Sequence, residues 1–134
     1  MTVSPPTSAR FLLASDIDGT LLHDGNTELL FRQFVARQDG RFALAYVTGR
    51  YCWSVQQLIA EGRLPRPHFI CSDVGTEILD LDDPENRLGE AYAAQVSPDW
   101  SLDEIYRLGL GEGITRQEFD EGQPRFQAGF YWDA

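Results

Sequence analysis

Apolar residues in this chain fall into short blocks, and the spacing inside each block predicts its form. Phe11 to Ala14 is a continuous apolar run that stops at Asp16, Asp18 and Gly19, the pattern of a strand buried on both faces. From Thr27 the segment TELLFRQFVARQ changes period. Leu30, Phe34 and Arg37 follow helical spacing, Leu29, Phe31 and Val35 widen the apolar face, and Asp39-Gly40 supplies a stop. A second run, FALAYV (Phe42 to Val47), ends at Thr48-Gly49-Arg50 and predicts a second strand. In YCWSVQQLIAEG, Val55, Leu58 and Ile59 share a helical face ahead of Gly62. After the loop RLPRP, HFICS from His68 predicts a third strand, ending at Asp73-Val74-Gly75. Strand, helix, strand, helix, strand in this order predicts parallel strands joined by right-handed crossovers.

The pattern changes after Gly75. TEILDL predicts a strand, an acidic loop-like stretch runs through Glu90, WSLDEIYRLGL behind Ser97-Pro98-Asp99 predicts a capped helix, and RFQAGFYW predicts a closing strand. The shift near residue 77 points to a second structural unit, and the first nine residues, MTVSPPTSA, predict a flexible tail without the features of a secretory signal.

Composition narrows the functional classes. With 134 residues and 43% hydrophobic content the chain suits one ordinary domain. A net charge of -10 argues against nucleic acid and against an anionic membrane surface. No apolar stretch approaches the roughly 20 residues of a membrane helix. Cys52 and Cys71 match no metal or redox spacing, so two reduced thiols in a cytoplasmic protein are expected. All eleven basic residues are arginine, and lysine is absent.

Candidate chemistry gathers at the strand ends. Asp16 and Asp18 are one residue apart, so a strand would point both to one side, where their repulsion and desolvation call for a cation or for chemistry at one carboxylate. In parallel α/β sheets, sites form beyond the carboxyl ends of the strands, and Asp16, Asp18, Thr48 and Asp73 all fall there. Simpler roles stand beside these: a solvated Asp-Gly turn for the pair, a helix cap for Thr48, a turn cap for Asp73, a surface or ion-pairing role for Arg50. Trp53 and Trp100 read as packing residues, although a tryptophan of the second unit also offers a face to a sugar. His23 and His68 lack ligand-like spacing.

The motifs carry a resemblance. SDIDGTLL resembles the first motif of the haloacid dehalogenase superfamily of phosphohydrolases, YVTGR its second, and FICSDVGTEI with YVTGR resembles the branch of sucrose-phosphate phosphatases. The resemblance implies a Rossmann-like α/β fold: residues 10–76 as the N-terminal half of the core, and 77–134 as the start of an α+β cap. It implies Asp16 as nucleophile, Asp18 as general acid and base, and Mg2+ held by the Asp16 carboxylate and the Asp18 carbonyl. Thr48 and the Gly49 amide would bind a phosphoryl oxygen, with Gly19, Thr20, Arg50 and Asp73 adjacent and Gly25 in a flap. The substrate implied is a small sugar phosphate such as sucrose 6-phosphate.

Two elements of the resembled machinery have no counterpart: a later lysine or arginine bridging nucleophile and phosphate, and an acidic motif completing the metal site. The expectation is therefore an N-terminal portion of a longer phosphatase, with a shortened relative that binds a sugar phosphate or a protein without turnover as the alternative.

Overall fold

The computed structural model describes residues 11–38, 40–108 and 111–133; the tail expected over residues 1–9 and the helix stop at Asp39 lie outside them. Four strands form the main sheet in the order β1 (Phe11–Ser15), β2 (Phe42–Val47), β3 (Phe69–Ser72), β4 (Glu77–Asp80). The first three pair in parallel, with Phe11 opposite Phe42 and Ala45 opposite Phe69. Helix α1 (Gly25–Gln38) crosses from β1 to β2, and α2 (Cys52–Ala60) from β2 to β3. Gly25, expected in a flap, is thus the first residue of a helix.

Ile17, Leu44, Tyr46, Val55, Leu58, Leu64 and Ile70 make the buried core beneath this sheet. β2 and β3 sit between neighbours and are its best-covered strands. Burial of β1 on both faces, expected from its apolar run, is not met among the described residues: there it has a strand neighbour on one side only, with Phe11 72% and Leu12 62% exposed. An apolar run fixes a strand but not its place in the sheet.

β4 runs antiparallel to β3, Ile70 opposite Leu79, and belongs to the same sheet. The change of pattern near residue 77 therefore marks a reversal of direction, made in a single 3-10 turn over Asp73–Gly75. Beyond it lie α3 (Arg87–Val96), α4 (Leu102–Arg107) and a two-stranded antiparallel pair, β5 (Ile114–Arg116) with β6 (Phe130–Trp132). Ser101 caps α4, its hydroxyl accepting from the Glu104 N–H at 3.2 Å. Two corrections follow. RFQAGFYW is extended as a strand only over its last three residues, and α3 occupies part of the stretch expected to be loop.

α3 is missed by periodicity because its buried positions are Gly89 and Ala93, while Leu88 and Val96 are half exposed. Small residues there let the helix sit against the backbone of β4. Asn86 fixes its start, donating to the Ile78 carbonyl at 3.0 Å and accepting from the Asp80 N–H at 2.9 Å. A Cβ on Gly89 would stand 2.0 Å from the Ile78 carbonyl oxygen. Gly89→Ala is therefore expected to lower unfolding free energy by about 1–3 kcal/mol through overpacking. A urea midpoint unchanged by it would contradict this contact. No helix among the described residues is long and apolar enough to cross a membrane.

Candidate active site at the carboxyl ends of the strands

The chain leaves β1 as Asp16-Ile17-Asp18, and Ile17 determines where the two aspartates point. Its side chain is fully buried in the core, while both aspartates are exposed; alternation along extended backbone puts neighbours on opposite sides. Ile17 also knits the turn: its carbonyl accepts from the N–H groups of Thr20, Leu21 and Leu22, the last two at 2.9 Å. Gly19, at φ 72°, takes the left-handed conformation the turn requires. The Asp16 carboxylate accepts from the Ile17 N–H through Oδ1 at 2.7 Å, which orients the group and leaves Oδ2 without a hydrogen bond among the described residues.

Asp18 is held by Arg50. The guanidinium grips the carboxylate at both oxygens, Nε to Oδ2 and Nη2 to Oδ1, each 2.7 Å, and its third nitrogen, Nη1, donates to Ser54 Oγ at 3.0 Å. Bonding to Arg50 holds the Asp18 carboxyl below the usual aspartate range. Both groups are partly open to solvent, so the pair is a positioning contact more than a source of stability.

Thr48 lies just beyond β2 and is buried. Its N–H donates to the Cys71 carbonyl at 2.9 Å, and its hydroxyl accepts from the Arg50 N–H at 3.1 Å. Gly49 is exposed beside it. Asp73 follows β3 and is almost fully buried. It accepts from Ser72 Oγ at 2.7 Å, and its own N–H donates to the Arg50 carbonyl at 2.9 Å. Arg50 thus links the tips of all three parallel strands, reaching Asp18 by its side chain and Thr48 and Asp73 by its backbone. Thr20 stays on the outer, exposed turn.

Backbone strain concentrates at the third tip. Asp73 and Val74 both adopt left-handed φ, 54° and 55°, and Val74 is β-branched. Such conformations cost of order 1–3 kcal/mol each and persist where surroundings enforce them, often at functional sites.

Glu77, which sequence reasoning left aside, borders the site. Glu77 stands near Asp73; burial, then the Asp73 charge, pushes its carboxyl up. Trp53, expected to pack, is 42% exposed and stacks on Tyr51 with centroids 6.3 Å apart. Trp100 does pack, edge-on to Phe126 at 6.3 Å. His68 serves the fold, its Nδ1 accepting from the Leu44 N–H at 3.0 Å. Both cysteines are free thiols, and burial pushes Cys52 up to about 11. Cys52 is expected to react with iodoacetamide at pH 8 roughly a hundredfold more slowly than an ordinary exposed thiol; rapid labelling at Cys52 would contradict its enclosure.

Oxygen donors of the type Mg2+ prefers are present: the Asp16 carboxylate, and the Asp18 carbonyl, which takes part in none of the recorded hydrogen bonds of the turn. They fit the ion in kind. Among the described residues, no group of three or more His, Cys, Asp or Glu side chains is arranged to hold a metal.

A parallel α/β sheet with an acidic first strand tip is the arrangement of haloacid dehalogenase-like hydrolases. Consistent with that class, the chain is 35% identical over 132 residues to a protein of Nitrosococcus oceani classed as a HAD-like hydrolase, covering 91% of this chain and 35% of that one. A 72-residue stretch, 53% of the chain, is 46% identical to 9% of the glucosylglycerol-phosphate synthase of Pseudomonas anguilliseptica. More narrowly, the chain belongs to the sucrose-6F-phosphate phosphohydrolase family, whose model matches residues 9–134. Among solved structures it is similar to the sucrose-phosphatase of Synechocystis sp. PCC6803 in complex with sucrose and phosphate: TM-score 0.68 and 29% identity, over 85% of this chain and 46% of that one. A haloacid dehalogenase-like hydrolase of Bacillus subtilis shares the fold, with TM-score 0.53 and 23% identity, over 73% of this chain and 47% of that one. The chain spans about a third of the Nitrosococcus relative and under half of each solved chain.

Proposed function

We propose that this chain carries the nucleophilic part of a phosphomonoesterase that hydrolyses a sugar phosphate through an aspartyl-phosphate. The observation behind this reading is the Asp16-Ile17-Asp18 tip, where buried Ile17 presents two carboxylates beside a buried strand-terminal threonine. Asp16, oriented by the Ile17 N–H on one oxygen, attacks phosphorus with the other. The P–O bond to the sugar breaks as the Asp16–phosphorus bond forms. Asp18 gives a proton to the departing sugar oxygen, then takes one from the water that releases phosphate and regenerates Asp16. For Asp18 to carry that proton its pair with Arg50 must part, and an incoming phosphoryl group is an alternative partner for Arg50. The Thr48 hydroxyl and the Gly49 amide hold phosphoryl oxygens. The Asp16 carboxylate and the Asp18 carbonyl would hold Mg2+, which when bound offsets the negative charge shared by Asp16 and the phosphate.

The segment beyond β4, from α3 onward, serves in this reading as the beginning of a cap over the strand tips. The protein works without nucleic acid or membrane, in the cytoplasm. One observation favours a binding role instead: both Asp18 oxygens are engaged by Arg50. An assay of the complete protein with Mg2+ and sucrose 6-phosphate separates the two. Phosphate release that stops on chelation of the metal is expected. Binding of phosphate or sugar phosphate without release overturns the enzyme reading in favour of a binding domain.

A further inference from the structure

The strained turn at the end of β3 bears on the loop Thr48-Gly49-Arg50, and one residue of α3 pins that turn. Asp73, Val74 and Gly75 take left-handed backbone in succession, with φ of 54°, 55° and 83°. Gly75 does so freely; Val74 is β-branched and, at 67% exposure, gains little burial in return. Two contacts pass from the turn to the loop. The Asp73 N–H donates to the Arg50 carbonyl at 2.9 Å. A Val74 methyl, Cγ1, stands 3.7 Å from where a Cβ on Gly49 would lie, so it rests beside the Gly49 backbone. Extended backbone at Asp73 and Val74 would continue the line of β3 and carry Val74 off Gly49.

The turn is held from within and from outside. Within it, the Thr76 N–H and hydroxyl both donate to the Asp73 carbonyl, at 3.2 and 2.7 Å. From outside, Tyr92 reaches back from α3, its hydroxyl donating to the Gly75 carbonyl at 2.7 Å. α3 gives that reach a firm base, because the Asn86 side chain bonds twice to the backbone of β4 and Gly89 lies close against the Ile78 carbonyl. Tyr92 stands outside the core cluster.

We propose that Tyr92 is a positioning residue. From α3 it holds the left-handed turn; the turn sets Gly49 and Arg50, and through Arg50 it sets Asp18, around the reacting phosphoryl group. This deepens the phosphatase reading and rests on it for the roles of Gly49, Arg50 and Asp18. The strain at Val74 then has a use, since it keeps a methyl beside the Gly49 amide. Groups aimed at a reacting centre lose rate steeply when displaced, even by a change far from the chemistry.

The test compares the complete protein with Tyr92→Phe, which removes one hydroxyl, and with Val74→Gly, which removes both the strain and the contact beside Gly49. In Tyr92→Phe the Asp73 amide is expected to exchange with solvent about tenfold faster. Its kcat for phosphate release from a sugar phosphate is expected to fall about tenfold, with KM within about twofold of the parent. The urea midpoint stays near the parental one, because the bond lies at an exposed position. Val74→Gly is expected to keep or raise the midpoint, since glycine adopts left-handed backbone freely, and still to lose about tenfold in kcat. A merely structural role would move stability and activity together. Unchanged Asp73 exchange or unchanged kcat in a folded Tyr92→Phe protein overturns the proposal, as does a loss confined to KM. Should Tyr92→Phe fail to fold, Val74→Gly decides, and parental kcat in that variant overturns the proposal. Should the parent release phosphate from no phosphomonoester, the phosphatase reading fails alone, and Asp73 exchange still judges whether Tyr92 holds the turn.

Discussion

Replacing Asp16 with asparagine is expected to lower phosphate release by the complete protein roughly 10^3-fold or more, the scale on which loss of a covalent nucleophile is felt. The fold should be indifferent to the change. Asp16 is exposed, and its recorded side-chain contact is the hydrogen bond from the Ile17 N–H to Oδ1, which an amide oxygen also accepts. Stability within about 0.5 kcal/mol of the parent is the expectation for such a surface change. Circular dichroism and a urea midpoint check the fold, and a phosphate-release assay checks the chemistry. A variant that stays folded and retains near-parental turnover would remove Asp16 from the mechanism.

The largest effect on stability is expected one residue further on. Ile17 is fully buried in the core cluster with Leu44, Tyr46 and Ile70. Ile17→Ala leaves a cavity beneath the turn and should cost about 2–5 kcal/mol, with Ile17→Val costing about 0.5–1.5 kcal/mol. Both values are read from urea denaturation. Because the Ile17 backbone also closes the 17–22 turn, loosening its side chain is expected to blur the position of both aspartates, so turnover falls with stability. A cost under about 1 kcal/mol for Ile17→Ala would show that the turn is held by something other than this anchor.

Much of the main sheet was legible in the sequence because its signals are local. Apolar runs of three to six residues leading to Asp or Thr placed β1, β2 and β3, and helical spacing before Gly40 and Gly62 placed α1 and α2. The two glycines close the helices with φ of 74° and 71°. What escaped depends on distant partners. The exposure of β1 follows from its having a single strand neighbour among the described residues, which no property of FLLA encodes. The antiparallel sense of β4 is set by a turn in which Asp73 and Val74, neither of them glycine, adopt left-handed backbone. A residue type that disfavours a conformation gives no warning that it adopts it. α3 hides its buried stripe in Gly89 and Ala93, residues that periodicity scores as weakly apolar or as breakers. β5 spans three residues and is stabilised by pairing with β6, Thr115 opposite Tyr131.

The site divides along the same line. Asp16, Asp18, Thr48 and Asp73 were assigned to strand ends by sequence spacing, and the fold does carry them there. How they connect was only partly readable: Arg50 reads in the sequence as a surface or ion-pairing residue near the site, but its partner, Asp18, lies 32 residues away and is not named by any local pattern. Trp53, read as packing, and Glu77, not singled out, depart from expectation for opposite reasons. Tryptophan suggests packing by default, and a glutamate at the head of a strand suggests solvent, yet Trp53 stands open and Glu77 is partly buried against Asp73.

The account is tested most directly by trapping the phosphoryl group. The complete protein is mixed with isotopically labelled sugar phosphate and Mg2+, quenched in acid within one turnover and digested with trypsin. With no lysine between them, Arg10 and Arg32 bound a single peptide, Phe11–Arg32, that contains both Asp16 and Asp18, and fragmentation tells the two apart. The label is predicted on Asp16, and to be absent from the Asp16→Asn variant. Label on any other residue, or sustained turnover with none trapped on this peptide at any quench time, would contradict covalent catalysis at the tip of the first strand.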